Sequence, residues 1–225
     1  MTLSSQTDSS KVELTSEAVT HSSSEELSAT LVYDIRNSRY LNITGRCTLR
    51  CQFCPKHNGS KQVHEYQLDL IHQPKAEEII PLLGDVERFD EYVFCGYGEP
   101  TLNLDTLLTL AKEIKRRGGS VRVNTDGLGN LFHRRNILPE LAESVDALSI
   151  SLNADTEQAY LNHCRPKLKN SYQAVCDFIR LAPDYIETVQ VSAIDGLEGV
   201  DIEACRKFVL ESGAEFKHRV LGIVG

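Results

Sequence analysis

The 225-residue chain contains no tryptophan, one methionine and no uninterrupted apolar run of about 18 residues. Without such a run, no membrane-spanning helix is expected. Cations are also in short supply: 24 Lys and Arg stand against 32 Asp and Glu, a formal charge of −8. That balance excludes a protein whose main task is to grip nucleic acid. The eight Tyr and seven Phe are nevertheless enough for a globular core. Cysteine is the residue in surplus, with seven in the chain and three of them within eight residues. With no apolar signal-peptide core at the start, this is not the pattern of a secreted disulfide scaffold. It points instead to a reducing, cytoplasmic setting and a metal.

Residues 1–30 hold nine Ser, five Thr, no Arg and no aromatic residue. Five acids and one lysine give them four of the eight net negative charges. Such a stretch buries too little apolar surface to offset its chain entropy, so it is expected to be a disordered Ser/Thr-rich tail. Residues 31–225 then form one domain, close to neutral.

That domain alternates. β-rich runs are expected at 40–44, 91–95, 119–123, 146–152, 187–193 and 216–221. Helical periodicity is expected over 75–83, 104–118, 137–144, 171–182 and 201–212, with Pro81 bending or shortening the first. Asp201 is the expected N-cap of the last, and Gly118 and Gly213 end their helices. Six strands alternating with helices mean βαβ units and an α/β fold with a parallel sheet. The length is too short for the roughly 250 residues of an eight-unit barrel. An open doubly wound sheet and a partial barrel both satisfy the pattern.

Directly after the first strand, Cys47, Cys51 and Cys54 follow the spacing C-x3-C-x2-C. One loop can thus bring three thiolates to one metal centre. A [4Fe–4S] cluster normally takes four, so three would leave one iron free to bind another molecule. Zinc is the rival reading, because His57 or Cys95 could complete a tetrahedron. A simple ferredoxin would show a fourth nearby cysteine. After the second strand comes Cys95-Gly96-Tyr97-Gly98-Glu99-Pro100, where glycines let backbone approach a ligand and a carboxylate can meet an ammonium group.

Together these residues resemble the radical S-adenosylmethionine (radical SAM) superfamily. The cysteine triplet carries an aromatic, Phe53, before its third member, and Gly98-Glu99-Pro100 matches a Gly-Gly-Glu-Pro element in which Tyr97 replaces the first glycine. The segments NITGRC (42–47), FCGYGEPTL (94–102), VRVNTDGLGN (121–130), SISLNA (149–154) and CRP (164–166) resemble the short proteins called TatD-associated.

The resemblance implies a partial (β/α)6 barrel of parallel strands. It also implies a [4Fe–4S] cluster on Cys47, Cys51 and Cys54 and S-adenosylmethionine on the fourth iron, reductively cleaved to a 5′-deoxyadenosyl radical. Cofactor contacts are then expected from Phe53, Gly96, Gly98, Glu99, Asn124, Asp126, Ser151, Asn153 and Arg165, which follow successive strands. Asn124-Thr125-Asp126-Gly127 also reads as a plain turn. Cys95, near that site, is a weak candidate for a catalytic thiol. Cys176 and Cys205 lie on apolar helical stripes and are expected in the core, while Cys164 stays unassigned. The loop 55–73, with His57, His64 and His72, would flank the site as a lid or substrate wall. The implied partners are an electron donor such as flavodoxin or ferredoxin, an unknown substrate and an association with a TatD-family nuclease. A zinc-stabilised binding module and a catalytically inactive partner protein remain as alternatives.

Overall fold

The computed structural model describes residues 29–57, 62–63 and 65–221, together with Met1. The expected tail therefore lies almost wholly outside the described residues, as does His64. Seven strands form one sheet: β1 (Val32–Ile35), β2 (Ser38–Leu41), β5 (Glu91–Phe94), β6 (Val121–Thr125), β7 (Ala147–Ser151), β8 (Thr188–Asp195) and β9 (Glu215–Val220), in that spatial order. From β2 to β9 every pairing is parallel. The two remaining strands, β3 (Gln62–Val63) and β4 (Tyr66–Gln67), make a separate antiparallel hairpin inside the loop 55–73.

Helices return the chain between parallel strands: α1 (Ala76–Ile79), α2 (Leu104–Arg116), α3 (Gly129–His133), α4 (Leu138–Ala142), α5 (Glu157–Cys164), α6 (Ser171–Leu181) and α7 (Ile202–Glu211). Pro81 shortens the first as expected, and the chain tightens to a 3-10 turn over Ile80–Leu82. In α2, Leu104, Leu107, Leu110, Ala111 and Ile114 are buried against the sheet, and Gly118 with φ 86° closes the helix end. The Gly119 N–H still bonds the Ile114 carbonyl. The third parallel strand consequently begins at Val121 and takes in Asn124 and Thr125, two residues later than expected.

Three other expectations are corrected. The first parallel strand runs over 38–41, not 40–44: the Asn42 N–H still bonds the Leu31 carbonyl in register with the antiparallel neighbour, but residues 42–44 are no longer paired as a strand. An antiparallel edge strand, β1, precedes it. The tight turn between them puts Arg36 at φ 55°, without the Asn-Gly pair that would have advertised a hairpin. Helices α3 and α5 are additional; α5 starts where the Thr156 hydroxyl accepts from the Ala159 N–H.

Register sorts the strand residues into two faces, since side chains alternate along each strand. Leu41, Phe94, Val123, Leu148 and Val189 share a row, and Thr125, Ile150, Val191 and Phe216 another. These point to the helices; all but Thr125 and Phe216 are buried members of the core, and Phe216 packs against it. The opposite face carries Ser38 beside Glu91, then Tyr40, Val93 and Arg122, then Asn124, Ser149 and Gln190, then Ser151, Ser192 and Lys217. The sheet is a partial barrel with β1 and β9 at its two ends. On the polar face Arg122 lowers the Glu91 carboxyl, with smaller contributions from Ser38 and Lys217. With the helices packed on the other face, a partial barrel curls around this polar face.

Candidate metal and cofactor site

The cysteine loop leaves β2 at the C-terminal edge of the sheet. Its start is clamped to the loop after β5. The Glu99 N–H bonds the Arg46 carbonyl at 2.8 Å. A Cβ at position 98 would lie 2.1 Å from the Thr44 carbonyl oxygen and 2.7 Å from that of Arg46, so only glycine fits. At position 96 a Cβ would lie 2.1 Å from Asn42 Oδ1. Gly96 and Gly98 thus serve the approach of two loops to each other. Tyr97, which replaces the usual glycine, is buried with Tyr33 and Leu68 in a small second cluster.

The Glu99 carboxylate turns into the protein. Its Oε1 accepts from the Thr101 hydroxyl at 2.7 Å, the Thr125 hydroxyl at 2.8 Å and the Thr101 N–H at 3.1 Å, and Oε2 accepts from the Asp126 N–H at 2.7 Å. Those bonds tie the end of β5 to the end of β6. Burial raises the Glu99 carboxyl despite these donors. Asp126 is raised well above the usual carboxylate range, first by burial and then by Glu99 beside it. Its other oxygen caps Leu128 N–H at 2.9 Å, and Oδ2 stands 3.9 Å from Cys47 Sγ.

All three loop cysteines are free and half-buried. The Cys47 sulfur accepts from the Leu49 N–H at 3.4 Å. Burial and then Asp126 raise the Cys47 thiol, and burial raises that of Cys54. Cys51 is raised by a hydrogen bond with Cys164 and by burial. Metal binding would have to displace these protons, as it does at any thiolate site. Among the described residues, no three His, Cys, Asp or Glu side chains converge as ligands of a single ion.

Three buried polar atoms have no protein partner: Thr48 Oγ1 within the loop, the Tyr160 hydroxyl near Cys47 and Cys51, and Asn153 Oδ1 just beyond β7. Asn153 takes φ 63° just beyond β7. Such orphaned groups call for a polar occupant. Three soft sulfur donors on one loop, with unpaired polar atoms on the loop and at Tyr160 beside it, suit an iron–sulfur cluster carrying a polar ligand. The fit rests on that donor chemistry.

The remaining expected residues spread around this edge. Phe53 packs partly against the core. Asn124 lies on the polar face, where its Oδ1 accepts from Arg122 at 2.7 Å. Ser151 lies on the same face, half-buried. Arg165 caps α5 at φ 47° and is solvent-exposed, on the wall of a cavity of about 650 Å3 that Gln52, Asn162, His163 and Glu198 also line. Cys95 sits just past β5, where burial raises its thiol against a bond with Asn124. Cys176 and Cys205 are buried in the core, as expected. His57 is exposed, and exposed His72 pairs with Glu78 at 2.8 Å.

Spacing alone had not shown the seat of the cysteine loop. Arg50 N–H bonds the Cys164 carbonyl at 3.0 Å and Gln52 N–H that of His163 at 2.9 Å; Lys167 N–H returns to the Thr48 carbonyl at 2.9 Å. The segment 162–167 is thus a wall of the site, and only the CRP string hinted at it.

An α/β partial barrel with three cysteines on its first crossover loop defines a class of cofactor-dependent protein. The family model for the radical SAM superfamily matches residues 41–210, and the chain belongs to that superfamily. Over 118 residues, 51% of the chain, it is 32% identical to the tungsten-containing aldehyde ferredoxin oxidoreductase cofactor-modifying protein of Pyrococcus furiosus. The match spans 30% of that relative's length. Among solved structures, Streptococcus suis SuiB bound to S-adenosylmethionine aligns with a TM-score of 0.62 at 13% identity, over 82% of this chain and 40% of that one. TYW1 with a lysine-pyruvate adduct bound aligns at 0.57 and 16%, over 84% and 66%. Methylornithine synthase (PylB) aligns at 0.53 and 15%, over 82% and 53%. At these identities the likeness concerns the fold.

Proposed function

We propose that the chain is a radical SAM enzyme that binds a [4Fe–4S] cluster through Cys47, Cys51 and Cys54 and cleaves S-adenosylmethionine reductively. The observation that carries this reading is the cysteine loop clamped to Gly98 and Glu99 above a polar concave face. When bound, the cluster and S-adenosylmethionine supply an electron and a 5′-deoxyadenosyl radical that takes a hydrogen atom from substrate.

The chain's own residues orient and shield. Glu99 fixes the loops after β5 and β6 through its four bonds, which leaves their backbone groups preorganised for a ligand. Asn153 Oδ1 is a free buried acceptor for a hydroxyl or ammonium group. Arg165 supplies a guanidinium for a carboxylate. Phe53 shields the loop's apolar side, and Asn124, Ser151 and Cys95 face the chamber in which a substrate would lie. The finer assignment, a short TatD-associated protein with a TatD-family nuclease as associate, rests on the string FCGYGEPTL. A flavodoxin or ferredoxin would supply the electron.

The test is anaerobic reconstitution with iron and sulfide. About four irons per chain and 5′-deoxyadenosine from S-adenosylmethionine are expected, and both should vanish in a Cys47→Ser, Cys51→Ser, Cys54→Ser variant. A protein that takes up one zinc and no iron overturns the reading.

A further inference from the structure

The cysteine loop accounts for three of the chain's thiols and leaves Cys164 without a task. Cys164 ends α5 and is fully buried. The fold sets it against the cysteine loop, more than a hundred residues earlier in the chain. Arg50 N–H bonds the Cys164 carbonyl at 3.0 Å and Gln52 N–H bonds the His163 carbonyl at 2.9 Å, so the residues on both sides of Cys51 are pinned to the end of α5. Between these two backbone bonds the side chains meet, and the Cys51 thiol donates to the Cys164 sulfur. Cys51 is half-buried, and Cys164 is sealed from solvent beside it. Tyr160, one turn earlier on α5, has an unpaired hydroxyl near both. Cys47 and Cys54 are engaged otherwise: the Cys47 sulfur accepts from the Leu49 N–H, and that of Cys54 from the Lys56 and His57 N–H groups. Two sulfurs in hydrogen-bond contact, on backbones already pinned together, need only a small side-chain rotation to reach an S–S bond of about 2.05 Å.

We propose that Cys51 and Cys164 are an oxidation site that closes into a disulfide when the loop holds no metal, and that closure withdraws one of the three thiols from cluster assembly. The second half rests on the radical SAM reading above; the first does not. The oxidant is a peroxide. The more accessible Cys51 reacts first: its sulfur takes one oxygen from hydrogen peroxide to give a sulfenic acid, and one water leaves. The Cys164 sulfur then attacks the Cys51 sulfur. The S–S bond forms, the S–O bond breaks, and the hydroxide leaves with the Cys164 proton as a second water. The two thiols together lose two electrons, and the peroxide ends as two waters. The bond to Cys164 and burial hold the Cys51 proton in place, so closure is slow near neutrality and answers sustained oxidation. It also keeps Cys51 from going on to the irreversible sulfinic acid. A dithiol reductant returns both residues to the thiol form.

The experiment treats the full chain, metal-free and freshly reduced, with one equivalent of hydrogen peroxide. Free thiols are then blocked, and the disulfides are mapped by mass spectrometry. Cys51 should be linked to Cys164, while Cys176 and Cys205, both buried in the core, stay free. Uptake of a preassembled [4Fe–4S] cluster from a scaffold protein, without added thiol or sulfide, should fall to background in the treated protein and return after dithiothreitol. Cys164→Ala, which keeps all three loop cysteines, should take up as much cluster after peroxide as before it. If that variant does not fold, the map and the uptake of the parent decide alone. A map that links Cys51 to Cys47 or Cys54, or that shows no disulfide, overturns the inference. So does undiminished uptake by the disulfide form, or an equal loss in folded Cys164→Ala. If the untreated parent takes up no cluster, the radical SAM reading fails, and the map still decides whether Cys51 and Cys164 close.

Discussion

The two faces of the main sheet come from the same strands and differ in nearly every property. Leu148 and Ile150 on β7 point to the helices and are fully buried; Ser149 and Ser151 between them point the other way and are half-buried. On β6, Val121 and Val123 alternate with Arg122 and Asn124. A closed eight-unit barrel fills its interior with bulky branched side chains. This partial barrel instead keeps its concave face polar, and the helix-covered face carries the stability. Core and chamber are thereby separated by one residue of register.

Core truncations should break that contrast most strongly. Phe94→Ala, at a fully buried site on the helix side, should cost about 3–5 kcal/mol in urea unfolding. Leu148→Ala should cost about 2–5 kcal/mol for the same reason. At the junction of the two faces, Glu99→Ala should cost about 1–3 kcal/mol, because it strands buried donors on Thr101, Thr125 and Asp126. It should also lower iron retention, measured after desalting a reconstituted sample.

The Glu91–Arg122 pair lies on the chamber side, bonded at 2.6 and 2.8 Å and partly exposed. Arg122 depresses the Glu91 carboxyl below its ordinary value. The stability this contributes is therefore present above the unfolded carboxylate range and lost as pH falls through the depressed value. Glu91→Gln should cost about 1 kcal/mol or less near neutrality and flatten the acid limb of a stability–pH curve. Ser149→Ala, fully on the chamber side, should move stability by no more than about 0.5 kcal/mol. A loss as large as that of Leu148→Ala would show that the concave face is packed after all.

The sequence showed much of this. The C-x3-C-x2-C spacing picked out the cysteine loop, and strand–helix alternation implied the parallel sheet. Pro81 and Gly118 marked where helices tighten or stop. What escaped was non-local. Strand β1 lacked a turn signature. Helix α5 has few apolar residues to give it a stripe, and it is held by its Thr156 cap and by tertiary packing of Ala159, Tyr160 and Cys164. The wall at 162–167 exists only because carbonyls at the end of α5 accept N–H groups from a loop more than a hundred residues earlier. The protein partners of Glu99, two threonine hydroxyls and two backbone amides gathered by the adjacency of β5 and β6, were not legible either.

By itself the sequence determined the donor chemistry, the strand periodicity and the radical SAM membership, because these depend on residue type and short spacing. Tertiary structure alone decided which polar groups stay unpaired, where Glu99 places its hydrogen bonds and how the segment 162–167 becomes a wall beside the cysteine loop. Each of those depends on segments distant in the chain meeting at the C-terminal edge of a curled sheet, a meeting that local pattern does not encode.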